Sequence, residues 1–206
     1  MWTKGENDMI TRREFVAGAA CCAMVAGELM GQQADSSKNE AVIEKNENLV
    51  TACGLYCGAC FAYIATQEND ETRLASGFGA SSGQMRFSLA NMQCDGCLGG
   101  GRMLSHVPKC EIRECAATKS KTRRCSGCEE FPCNRITGLS TDGMLHRAEA
   151  LNNSRQVRSE GIKDWAKREA ERWSCSKCQA KIAWYDPECP KCKAPRSDKL
   201  FQLKQI

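Results

Sequence analysis

Histidine is nearly absent from this chain. Only His106 and His146 occur in 206 residues, so a bound metal has to be held mainly by thiolates, which suits zinc or iron–sulfur better than magnesium or calcium. Aromatic residues are also scarce, at 6%. They leave little bulk for a large core, and small domains in that position rely on disulfides or metal ions. Long apolar runs are missing near the N-terminus. The uncharged stretch Phe15–Gly27 has 13 residues, short of the roughly 20 that a membrane-spanning helix needs. β-Branched residues are too few for strands to stand out. No catalytic triad, P-loop or dinucleotide fingerprint can be assembled, and Ser81-Ser82-Gly83 and Gly99-Gly100-Gly101 fit loops better. What the chain has instead is cysteine, with 16 residues, near the level that marks a cross-linked scaffold.

Residues Thr11–Val16, Thr-Arg-Arg-Glu-Phe-Val, resemble the twin-arginine translocation motif, and the weakly apolar stretch behind them has the length of a signal h-region. The resemblance implies export to the periplasm or outside the cell, with no transmembrane span after signal cleavage. Cys21 and Cys22 fit a lipoprotein signal poorly, because Gly18 and Ala19 stand where an aliphatic residue is needed. We divide the chain into a signal and start of linker at 1–34, a polar linker at 35–49, a cysteine-rich domain at 50–150, a connecting helix at 151–173, and a ribbon and tail at 174–206. The net charge is +4. It resides in the last quarter, where 155–206 carry 13 basic and 7 acidic side chains. Such a tail could meet nucleic acid or an acidic partner, but a solvated helix face with lysine-rich loops is the preferred explanation.

Ten cysteines fall in the middle domain. They are Cys53-x3-Cys57-x2-Cys60, Cys94-x2-Cys97, Cys110 with Cys115, and Cys125-x2-Cys128-x4-Cys133. The x2 spacing lets two thiolates turn inward around one ion, with Gly96 and Gly127 relaxing the backbone of two such knuckles. All ten are candidate metal ligands. Structural zinc ranks first, a disulfide framework second and an iron–sulfur cluster third. Ten ligands divide into two four-ligand sites with two thiols over, but spacing leaves the grouping open. Cys53, Cys57 and Cys60 share the spacing of radical S-adenosylmethionine enzymes, yet Ala59 stands where those carry an aromatic and the domain is half the size of their barrel. Helical periodicity marks Gly58–Gln67, Gly83–Met92, Ile112–Lys119 and Pro132–Leu139. Phe61, Tyr63 and Phe131 are read as core.

Cys-Gly-Leu-Tyr-Cys-Gly-Ala-Cys, then Cys-Asp-Gly-Cys, then Cys-x4-Cys, then Cys-x2-Cys-Glu-Glu-Phe-Pro-Cys occur in that order. The series resembles the cysteine-rich prokaryotic domain-of-unknown-function family 3795, over about residues 50–170. Phe61 replaces a proline usual there. The resemblance implies a small, mainly helical metal-binding domain and no established reaction.

Val157, Ile162, Trp165, Ala166 and Ala170 form one apolar stripe along the connecting helix, which Gly161 is placed to break in two. Trp173 is expected to pack on the ribbon. Cys175-x2-Cys178-x10-Cys189-x2-Cys192 then has the grammar of a zinc ribbon, with a short strand expected over Lys181–Pro187. Four thiolates close the site and leave no position for water, so the metal is structural. The fold class expected is mainly α: a small cysteine-rich, metal-stabilised helical domain followed by a helix and a β-type zinc ribbon. The function expected is a non-enzymatic metal-binding or interaction module holding zinc, with a protein partner at the ribbon and nucleic acid out of reach after export. The alternative is a redox or iron–sulfur enzyme using Cys53, Cys57 and Cys60.

Overall fold

Thiols and glycines set where the helices of this chain begin and end. In the computed structural model, residues 46–77 and 88–203 are described. The signal segment, Cys21, Cys22, most of the linker and the first part of the expected helix Gly83–Met92 lie outside the described residues. Helix α1, Phe61–Glu68, starts directly after Cys60 and buries Ala62, Tyr63, Ile64 and Ala65. It stops at Asn69, whose left-handed φ of 50° closes the last turn with an N–H to the Ala65 carbonyl, a conformation asparagine tolerates well. A 3₁₀ segment, Glu71–Gly77, follows and buries Leu74. Helix α2 is short, Leu89–Met92, and opens with a capping box from Ser88 and Asn91. Helix α3, Glu111–Lys119, begins after Cys110, and α4, Asn134–Ser140, begins after Cys133. A single turn α5, Leu145–Ala148, leads into the two long helices α6, Ala150–Glu160, and α7, Ile162–Arg172.

Gly161 separates α6 from α7. Its φ of +89° lies in the region that favours glycine, and its N–H still closes onto the Val157 carbonyl at 3.1 Å. The connecting segment is therefore two helices meeting at a corner. Their apolar stripes are buried together. Trp165 and Ala166 are fully buried, Val157 nearly so, and the Trp165 ring meets Tyr56 edge-on at 6.3 Å. Truncating such a tryptophan to alanine typically costs about 3–5 kcal/mol, which makes this arm the main apolar support of the fold.

No strand is present among the described residues. Three isolated antiparallel bridges stand in for sheet: Val50 with Tyr56, Ser174 with Lys181, and Glu188 with Pro195. The strand expected over Lys181–Pro187 is thus corrected to an irregular loop, and the reason lies in its hydrogen bonds. Arg73 takes the Lys181 carbonyl at 3.0 Å, and Arg196 takes those of Trp184 and Asp186, each at 2.8 Å. The amides of Ile182 and Trp184 donate to the Trp173 and Ala59 carbonyls. With its polar groups already claimed by side chains and distant backbone, the segment has no ladder left to form. Asp186, almost fully buried, binds Arg73 at 3.2 Å and the Ala183 amide at 2.7 Å, and so pins this loop to the segment after α1.

Gly54 is required by close approach. Its φ is +85°, and a Cβ there would lie 2.4 Å from Ser154 Oγ and 2.8 Å from the Ala150 carbonyl oxygen, both on α6. Gly54→Ala is expected to destabilise the chain by at least about 2 kcal/mol, measured by denaturant unfolding; an unchanged midpoint would contradict the contact.

His146 joins α5 to the loop at 181–187. Its ring stacks on Trp184 at 4.3 Å, and Nδ1 meets the Tyr185 hydroxyl at 2.7 Å. Burial, helped by the Arg147 charge and opposed by Asp142, lowers its pKa from 6.5 to about 4. The unfolded chain therefore takes up a proton that the folded chain refuses. This ring contributes no pH dependence above about 6.5 and costs stability as pH falls from there towards 4, on the order of 3 kcal/mol over the window. His146→Phe should flatten the decline in melting temperature between pH 6.5 and 4.5, and a variant with the same slope as the parent would refute the assignment.

Candidate metal centre

The C-terminal site is built from two copies of one backbone turn. In the first, the Cys175 amide donates to the Ala180 carbonyl at 2.9 Å and the Gln179 amide returns to the Cys175 carbonyl at 2.9 Å. In the second, Cys189 donates to Ala194 at 2.8 Å and Lys193 returns to Cys189 at 3.0 Å. Gln179 and Lys193 both carry left-handed φ, 59° and 58°. These are the residues that turn each chain back on itself, and the spacing of the cysteines does not reveal them. A signal was present in the repeat Cys-x-Lys-Cys-x-Ala, which occurs as Cys175–Ala180 and Cys189–Ala194. Each turn is closed by one of the isolated bridges, at Ser174 with Lys181 and at Glu188 with Pro195.

The two turns bring four sulfurs together. Cys175 and Cys192 are 3.6 Å apart, as are Cys178 and Cys189, and all four sulfurs lie within 4.8 Å of one another. A tetrahedron of thiolates around zinc, with metal–sulfur bonds of about 2.3 Å, has edges of about 3.8 Å. The group therefore has the size and donor chemistry of a four-thiolate metal site, and these are the residues that would hold the ion. Cys175 and Cys189 form its inner wall, at 3% and 0% exposure, whereas Cys192 is exposed. The Cys178 and Lys177 amides, with the Cys189 and Cys192 thiols, push the Cys175 thiol down to about 6. Cys192 moves the other way: the Ala194 amide lowers it, but the thiols of Cys178, Cys189 and Cys175 outweigh that and push it up to about 12.

The ten middle cysteines are placed differently. All fourteen described cysteines are free thiols, so no disulfide is formed among the described residues. The group Cys175, Cys178, Cys189 and Cys192 is the one set of three or more candidate ligands, among the described residues, whose donor atoms all lie within 4.8 Å. Cys57 and Cys60 flank a 3₁₀ turn, Cys57–Ala59, closed by the Cys60 amide on the Cys57 carbonyl at 2.9 Å. Cys125 and Cys128 flank the equivalent turn, Cys125–Gly127, closed in the same way at 3.0 Å. Cys53 faces Thr51, with Sγ 3.2 Å from the hydroxyl. Cys110 precedes α3 and Cys115 lies within it. The expected triad of Cys53, Cys57 and Cys60 does not converge.

Electrostatics sort these thiols further. Burial raises Cys57 well above its ordinary value, and its thiol neighbours Cys60, Cys97 and Cys94 add to the shift. Burial raises Cys60 to about 11, with the Tyr63 amide opposing and Cys94 adding. Cys125 rises to about 12 through burial and then through Cys53, Cys133, Cys115 and Cys128. Arginines brace the second of these neighbourhoods. Arg158 donates to the carbonyls of Ser126, Cys128 and Phe131 and lies over the Phe131 ring. Arg124 ties the turn to the Val50 and Glu47 carbonyls at 3.0 and 2.8 Å. Neither arginine stands out in the sequence, because each acts on carbonyls far from it along the chain.

None of the curated proteins and none of the solved structures matches the chain. Residues 49–138 match the family model DUF3795, described as a protein of unknown function, a span that takes in all ten middle cysteines and ends before α6 and the ribbon.

Proposed function

We propose that this protein is an exported, zinc-holding, non-enzymatic interaction module whose C-terminal ribbon is a closed structural metal centre. The observation that carries the reading is the sulfur geometry of Cys175, Cys178, Cys189 and Cys192, with 3.6 Å separations across two matched turns. Four cysteines satisfy zinc without a water position, so the ion supplies folding free energy and no reactive hydroxide. Zinc is favoured over magnesium or calcium because every donor is sulfur. Lys177, Lys181, Lys191 and Lys193 are all exposed. They would offset the formal dianion of a zinc tetrathiolate and present a positive rim to an acidic protein partner. Export rests on the sequence motif at Arg12 and Arg13. Among the described residues, no helix is long and apolar enough to cross a membrane.

Zinc binding contributes on the order of 10 kcal/mol in small modules, comparable with the whole stability of a domain. Cys189→Ser should therefore remove one zinc equivalent and expose Trp173, which packs in the same cluster. Elemental analysis together with tryptophan emission checks this, and full zinc content in the variant would exclude the site. Arg12→Lys with Arg13→Lys should hold the protein in the cytoplasm. Fractionation of cells against the parent tests it, and undiminished export of the variant would remove the localisation.

A further inference from the structure

The middle cysteines share one sequence region, yet they pack in different places. Cys57 belongs to the apolar cluster built on Trp165, and Cys60 and Cys97 pack against that cluster. Cys53, Cys125, Cys128 and Cys133 pack against a separate cluster built on Phe131, Ile136 and Ala150. Cys94 is 5% exposed and Cys57 7%. The Cys94–Cys97 loop lies over the Cys57–Cys60 turn and is fastened to it directly. The Cys97 amide donates to Cys57 Sγ at 3.4 Å. A Cβ on Gly96, whose φ is +99°, would stand 3.9 Å from both the Cβ and the Sγ of Cys57. At the other end of the loop, the Cys94 amide donates to Thr66 Oγ1 at 2.9 Å, and that hydroxyl donates to the Ala62 carbonyl at 2.7 Å. Cys94 is thereby fixed to α1, the helix that Cys60 introduces. Asp95 holds the loop closed through both carboxylate oxygens on Arg102, each at 2.9 Å.

We infer that Cys57, Cys60, Cys94 and Cys97 form a second four-thiolate site for a soft divalent ion such as zinc, separate from the ribbon. The chemistry follows from three features. Two x2 knuckles from different segments are hydrogen-bonded to each other, and a pair of such knuckles is how protein alone completes a tetrahedron. An amide already donates to one sulfur, as it does to a metal-bound thiolate. Every donor offered is a sulfur, which suits a soft divalent ion better than magnesium or calcium. No three of these four sulfurs lie within 4.8 Å of one another, so a bound ion has to draw them in to metal–sulfur distances of about 2.3 Å. Cys53 is left outside this group, which separates the three cysteines of the first motif into two plus one.

The test uses the full chain loaded with zinc. Pulsed alkylation during stepwise chelation, read residue by residue by mass spectrometry, should show Cys57, Cys60, Cys94 and Cys97 losing protection as one group, in a step apart from Cys175, Cys178, Cys189 and Cys192. Cys97 deprotecting with Cys53 and Cys110, its other thiol neighbours, would overturn the assignment, and so would a disulfide among the four in non-reducing maps. In parallel, Cys57→Ser, Cys94→Ser and the double variant should each lack the same single zinc equivalent. Loss of two equivalents in the double variant, or retention in either single variant, would refute the shared site. The ribbon equivalent is counted separately by its own alkylation step, so failure here leaves the ribbon reading untouched.

Discussion

Cys175 and Cys189 are ligand candidates and core residues at once. Both are buried, and both lie in the cluster that contains Trp165, Trp173 and Tyr56. Their sulfurs face one another on one side, while their backbones and neighbours Ile182 and Ala194 wall off the tryptophans on the other. A chain with so few aromatic side chains cannot enclose two tryptophans by apolar bulk alone. Instead, the two cysteine turns, whose four sulfurs lie within 4.8 Å of one another, contribute Cys175, Cys189 and Ala194 to the same cluster. Binding of an ion by these four thiolates would therefore link the stability of the apolar core to the occupancy of the site.

The corner at Gly161 extends this dependence to the cysteine-rich domain. α6 lies against Gly54 and receives the Phe131 loop through Arg158, while α7 ends in Trp173 beneath the ribbon. The carboxylate of Glu169 shows how tightly that end is built. It is 2% exposed, accepts from the Trp173 indole at 3.1 Å and pairs with Arg172 at 3.1 Å. Burial raises its pKa, and Arg172 and the indole oppose the rise. Arg172 also engages Glu149, which joins α7 back to the start of α6. A buried charge of this sort is tolerated only when its partners are held in place, and both partners here belong to the same two helices. The arm thus behaves as one bracket with a cysteine-bearing element at each end.

Much of this was legible in the sequence, and the exceptions share a cause. The helical character, the break at Gly161, the burial of Tyr63 and Phe131, and the convergence of the four C-terminal cysteines all follow from local pattern: period, glycine position and x2 spacing. The loop Lys181–Pro187 was misread as strand because its residues suit a pleated surface, whereas its carbonyls are taken by Arg73, more than a hundred positions earlier, and by Arg196. Propensity cannot register a competitor that distant. The same holds for the middle cysteines. Spacing places Cys53 with Cys57 and Cys60, but Gly54 turns the chain sharply between them, so Cys53 faces Thr51 while Cys57 faces the Cys97 amide.

That turn bears on the order of events in the life of the chain. A core that is completed by thiolates and a cation cannot close fully until the cation arrives. Fourteen free thiols would also be exposed to oxidation if the chain reached an oxidising compartment unfolded. On the proposed export reading, the twin-arginine resemblance at Arg12 and Arg13 would supply a route in which folding and loading precede transport. Under that route, the buried Cys57 and Cys94 are protected by packing as well as by any bound ion. The exposed Cys192 is protected by the ion alone. On the proposed reading, the C-terminal four-cysteine group is accordingly the part of the chain least shielded by packing and most dependent on metal retention.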